Sequence, residues 1–211
     1  MTDPNPDKQF LKDTHKVKLA GIFTKYARRI MLWSYAFWGS LGLTIIAGIF
    51  LLISRIDYFS YLQNTVEITI SILPTILGFC IGGYALIIGF GQKDVLTRMS
   101  QPLGEAENWM SYYQVLSSVF AISIIIQILT LLICVVISYV GNLNLSSSYA
   151  DEVNISGILL CIFSSLYSIW LTYYVVKNIF IFGQMMHFCI RKEELDKRDV
   201  INKDDISHEK S

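Results

Sequence analysis

Long uncharged stretches divide the chain. Ile30 to Ile53, Ile68 to Gln92, Asn108 to Ala150 and Val153 to Val176 contain no Asp, Glu, Lys or Arg. A helix needs about 20 apolar residues to cross the hydrocarbon core of a bilayer, so each stretch is long enough for one crossing. The third is too long for a single helix. Its apolar centre, Val115 to Val140, is bracketed by Trp109, Tyr112 and Tyr113 on one side and Tyr139 on the other, and such aromatics favour the headgroup layer. Gly141 to Ala150 is rich in Asn and Ser and reads as a loop. The pattern predicts an all-α integral membrane protein. Its four transmembrane helices fall at about 30–53, 68–91, 115–140 and 155–178, within a bundle spanning 30–182.

The flanks carry weaker patterns. Leu19, Ile22, Phe23, Tyr26, Ala27 and Ile30 recur at three- and four-residue steps, with Lys18, Lys25, Arg28 and Arg29 on the other faces. Segment 1–29 is therefore expected to hold a basic amphipathic helix, lying on an anionic membrane surface or docking a partner. The first apolar segment begins near residue 30 and has no small-residue cleavage site, so it is expected to stay as an anchor rather than leave as a signal peptide. Beyond Val176 the apolar pattern persists to Ile190, so the fourth helix should continue past the membrane surface. The rest of the 183–211 tail, from Arg191 on, is mixed in charge and expected to be solvated and partly disordered.

Charge then orients the bundle. The 17 basic and 17 acidic residues cancel, but the basic ones are unevenly placed. Lys8, Lys12, Lys16, Lys18, Lys25, Arg28 and Arg29 precede the first span, and Arg191, Lys192, Lys197, Arg198, Lys203 and Lys210 follow the last. Lys93 and Arg98 lie between the second and third spans, whereas the loops on the opposite side hold only Arg55. Lys177 lies near the inner end of the fourth span, where it can snorkel. Positive residues resist translocation, so both termini and the 92–112 loop are expected in the cytoplasm, and the protein in the bacterial inner membrane.

The second span has the most distinctive pattern. Ser71, Thr75, Gly78, Gly82, Ala85 and Gly89 follow alternating steps of four and three, which places all six on one helix seam. Small seams let helix backbones approach closely in lipid, where packing rather than the hydrophobic effect drives association. The seam either packs within the protein's own bundle or joins copies around a symmetry axis. Pro74 should bend this helix. Extended outward, the seam reaches Glu67, then Asn64 and Ser60. An acidic residue in that position could ring the mouth of a cation pathway in an oligomer, or could simply face water.

The remaining polar positions suggest packing. Gln127 lies near mid-membrane in register with Ser123, Thr130 and Cys134, and Gly157, Cys161, Ser164, Ser168 and Thr172 share one face of the fourth span. A compact bundle accommodates all three faces. Cys80, Cys134, Cys161 and Cys189 lie in or beside the spans, away from the outer loops where disulfides form and without paired zinc spacing. They are expected to be small apolar packing residues. No paired acids, Ser/His pair or metal-binding helix occurs in the spans. Gly89-Phe90-Gly91-Gln92 lacks the acid of an aspartyl-protease motif, and His15, His187 and His208 lie outside the spans. No transporter-like repeat is evident. No catalytic residue, cofactor site or metal site is predicted, and the chain is expected not to be an enzyme.

Leu73-Pro74-Thr75-Ile76-Leu77-Gly78-Phe79, followed by Gly82-Gly83-Tyr84-Ala85 and Gly89-Phe90-Gly91, resembles the membrane subunits of Kiwa anti-phage defence systems. The resemblance covers about 20 residues and the overall four-span architecture. It implies a self-associating inner-membrane protein that senses phage-induced membrane perturbation and works with a cytosolic DNA-binding subunit. It implies no catalytic residue and no direct nucleic-acid binding by this chain. The alternatives from the residues alone are an oligomeric small ion channel or toxin-like pore, and a structural subunit of a larger membrane complex.

Overall fold

The computed structural model describes residues 34–54, 57–91, 93–101, 111–141 and 150–208. The expected amphipathic helix in 1–29 and most of the Asn-rich loop lie outside the described residues. Among the described residues five helices follow one another: α1 (Tyr35–Ile53), α2 (Tyr58–Phe90), α3 (Lys93–Met99), α4 (Tyr112–Gly141) and α5 (Ala150–His208). Of these, α1, α2, α4 and α5 are long and apolar enough to cross a membrane. The described residues are almost entirely helical, and the protein is a multi-pass membrane protein.

Local chemistry sets the helix starts. Ser34 caps α1 by accepting from the Phe37 N–H at 3.4 Å. The Asp57 carboxylate does the same for α2, accepting from the Phe59 N–H at 3.1 Å and the Ser60 hydroxyl at 2.9 Å. Before α4, Ser111 and Gln114 exchange bonds: the Gln114 N–H donates to Ser111 Oγ at 3.2 Å, and the Ser111 N–H to Gln114 Oε1 at 2.9 Å. That reciprocal box satisfies two otherwise orphaned donors. Asp151 and Glu152 occupy the first turn of α5, where the helix dipole favours negative charge.

Two helices outrun their expected bounds. The 33 residues of α2 measure about 50 Å at 1.5 Å per residue, against a hydrocarbon core of about 30 Å. Its first turns, Tyr58 to Glu67, are therefore helix beyond the apolar span, because Asp57 starts the helix ten residues early. The 59 residues of α5 reach about 88 Å. The partly disordered tail expected after Arg191 is instead helical to His208. After Gly183 no Gly or Pro interrupts that segment, and Glu193/Lys197 and Glu194/Arg198 have the favourable four-residue spacing.

Packing is uneven. α2, α4 and α5 contact one another pairwise, whereas α1 joins chiefly through α5. Close approach of α1 rests on glycines: a Cβ on Gly48 would meet Leu159 at 3.2 Å, and one on Gly39 the Trp170 ring at 3.7 Å. Leu51, Leu62, Val66, Cys134, Ile158 and Cys161 form the apolar cluster where α4 ends and α5 begins. At the other end α3 is not a free loop segment. Its Val95 and Met99 are buried with Ile87, Leu116, Phe120, Val175 and Phe182, which closes that end of the bundle.

Candidate functional site

Two features of the bundle stand out, one on its surface and one inside. The surface feature is the predicted seam of α2. The buried face of this helix is Leu62, Val66, Thr69, Leu73, Cys80 and Ile87. At about 100° per residue, Ser71, Thr75, Gly78, Gly82, Ala85 and Gly89 lie half a turn away from it, and all six are exposed. Among the described residues, a Cβ built on Gly78, Gly82 or Gly89 meets nothing within 4 Å. Nothing among the described residues packs on the seam, whereas one of the two sequence expectations had it inside the protein's own bundle. Large apolar side chains flank it: Ile68, Ile72, Phe79 and Leu86 on one side, Ile81 and Ile88 on the other, all exposed. The result is a shallow groove of small residues between two apolar ridges. The glycine that packs inside the bundle is the next one along, Gly83, whose Cβ would come within 2.8 Å of Ile179 Cδ1.

The interior feature is a spine of polar side chains between α2, α4 and α5. Ser123, Gln127, Thr130 and Cys134 on α4 are buried, as are Cys161, Ser164 and Ser168 on α5. Gln127, fully buried, donates from Nε2 to Thr172 Oγ1 at 3.1 Å and Ser123 Oγ at 3.3 Å, and reaches Cys80 Sγ at 3.5 Å. Its Oε1 is buried without a partner. One turn along, Thr130 Oγ1 lies 3.0 Å from Ser168 Oγ and 3.4 Å from the Ser164 carbonyl. Thr69 and Ser165 hydroxyls meet at 3.0 Å, and the Tyr84 hydroxyl donates to Ser117 Oγ at 3.3 Å. Many of these hydroxyls also donate to the carbonyl one turn back in their own helix, as Thr69, Thr130, Ser164 and Thr172 do. The spine is thus hydrogen-bonded structure, and it joins the inward faces expected for the third and fourth spans.

The acidic mouth residue lies at the rim. Glu67 is exposed and lines a cleft of about 80 Å³ with Phe59, Leu62, Gln63, Val66, Ile137 and Ser138, between α2 and α4. Asn64 is exposed one turn earlier. Asp57, beyond them, is held below its ordinary pKa by the Ser60 hydroxyl and the Phe59 N–H. Among the described residues no three His, Cys, Asp or Glu side chains gather as a metal site.

Sequence reasoning found Gln127 and the seam but missed the α2 contribution to the spine. Thr69, Cys80 and Tyr84 break no pattern in an apolar stretch that also offers Ser71 and Thr75. The missed signal is the phase of Leu62, Val66, Leu73 and Ile87, which defines an inward face opposite the glycines. Cys134 and Cys161 pack in the apolar cluster as expected, and their sulfurs lie 3.7 Å apart. No protein-family model matches the chain, and no curated protein or solved structure matches it.

Proposed function

We propose that this chain is a self-associating sensor or effector of the bacterial inner membrane, which acts in anti-phage defence through assembly with a cytosolic partner rather than through catalysis. The observation that carries the assembly reading is the outward groove of α2, with open space at Gly78, Gly82 and Gly89. In lipid, helices associate where small residues let backbones approach and dispersion contacts accumulate. A groove of six small residues between apolar ridges offers such contacts to a second copy, while the protein's own helices pack on the opposite face. The defence assignment draws on the resemblance of Leu73 to Gly91, a segment that contains five of the six groove residues. Both termini and the 92–112 loop are taken as cytoplasmic from the basic-residue asymmetry, and with segment 183–211 they supply the surface for the partner.

Adjacent glycines test this reading. Gly82→Leu fills the groove and should leave the folded monomer intact, abolish oligomers in detergent and raise phage plating to the unprotected level. Gly83→Leu instead drives a side chain into Ile179 and should destabilise the monomer by about 1–3 kcal/mol. Normal oligomers and full protection with Gly82→Leu would sink the assembly reading. The second reading is an oligomeric cation pore, favoured by the exposed Glu67 at the outer continuation of the groove. Glu67→Gln keeps the shape of the side chain, so only a pore should lose conductance, with the oligomer unchanged. An assembly-based sensor keeps its protection in that variant.

A further inference from the structure

Cys134 on α4 and Cys161 on α5 are both fully buried, with their sulfurs 3.7 Å apart. The backbones that carry them are held close on both sides of the pair. One turn toward the α4–α5 connection, Gly157 leaves room for Ile137, whose Cγ2 would lie 3.6 Å from a Cβ there. One turn the other way, Thr130 reaches both Ser168 Oγ and the Ser164 carbonyl across the interface. A disulfide has an S–S distance of about 2.05 Å, so the sulfurs need approach by only about 1.7 Å.

We propose that Cys134 and Cys161 form an oxidation site, a dithiol that closes to a disulfide and latches α4 to α5. The oxidant is a small uncharged hydroperoxide. Both sulfurs are sealed by Leu51, Leu62, Val66 and Ile158, a wall that excludes charged and bulky reagents but not a molecule of that size. In the first step one sulfur attacks a peroxide oxygen and the O–O bond breaks. The sulfur becomes a sulfenic acid, and the thiol proton leaves with the departing hydroxide as water. In the second step the other sulfur attacks the sulfenic sulfur. The S–S bond forms, the S–O bond breaks, and the second thiol proton leaves with hydroxide as another water. Two thiols and one hydrogen peroxide become one disulfide and two waters. Cys80 faces Ser123 and Gln127 and Cys189 lies far along α5, so neither has a thiol partner.

Thiol counting on the full chain in membranes tests the site. After hydrogen peroxide treatment and denaturation, maleimide-polyethylene glycol should label two of the four cysteines on each chain, and all four after reduction. Cys134→Ser and Cys161→Ser should each label at three positions with or without peroxide. A Cys80→Ala/Cys189→Ala protein, which leaves the pair untouched, should pass from two labels to none without crosslinking between chains. Four labels on peroxide-treated wild type, or a loss of labels that persists in Cys134→Ser, would overturn the proposal.

Discussion

Gln127 has two amide protons and three acceptors within reach, while its own carbonyl has no partner. A buried amide so placed ties three helices together at one point, but it also retains an unmet cost. Gln127→Leu removes the interhelical bonds and the orphan carbonyl together. The loss of stability should stay near 1 kcal/mol, within the roughly 0.6–1.7 kcal/mol found for single polar contacts in membranes. Reversible unfolding in mixed micelles measures it, and a loss above about 3 kcal/mol would show that the amide organises the whole spine. Gln127 was legible in the sequence because a lone amide in an apolar segment has few places to go. Gly82 and Gly83 were harder to separate, since adjacent positions differ by about 100° around the helix and only the partner face distinguishes them.

The elements show why some boundaries were legible and others were not. Hydropathy marks where a chain must be helical to cross lipid, so the four spans could be read directly. It is silent about where a helix continues into water. There capping decides, as Asp57 does for α2. The short α3 helix was hidden for a related reason: Val95, Leu96 and Met99 make only three apolar positions in a polar connection, too few for a period. The Asp57 cap has a pH signature. Its hydrogen bonds from Ser60 and Phe59 hold the carboxyl below its ordinary pKa, so the folded state favours the charged form. The cap's contribution is complete above the ordinary aspartate range and is lost as pH falls through the depressed folded value. The Phe59 amide resonance should titrate with a midpoint below that of an unstructured aspartate. In Asp57→Asn the titration should vanish; a midpoint at or above the ordinary value would contradict the cap.

At the scale of the molecule, three helices share a polar interior and α1 attaches at the side. The orientation proposed from the basic residues, with both termini in the cytoplasm, can be checked by labelling. Cysteines introduced singly at Asn5, Ser100, Ser146 and His208 should react differently with an impermeant maleimide in intact spheroplasts. Only the Ser146→Cys protein should label before lysis; labelling of Ser100→Cys would reverse the orientation. The same scale contains α5, the longest of the described helices. α5 crosses from Ala150 and continues for 31 residues past Lys177 without a proline, about 46 Å of further helix. A continuous helix conveys angle as well as distance, so the azimuth of the tail is locked to the azimuth of Cys161 and Ser168 in the bundle. One alanine inserted after Lys192 turns everything beyond it by about 100° and lengthens it by only about 1.5 Å. Seven residues restore the angle to within about 20° while adding about 10 Å. A partner that grips one side of the tail should lose phage protection with the single insertion and regain most of it with seven. A partner that measures reach alone should show the reverse, and α5 would then be a spacer rather than a crankshaft.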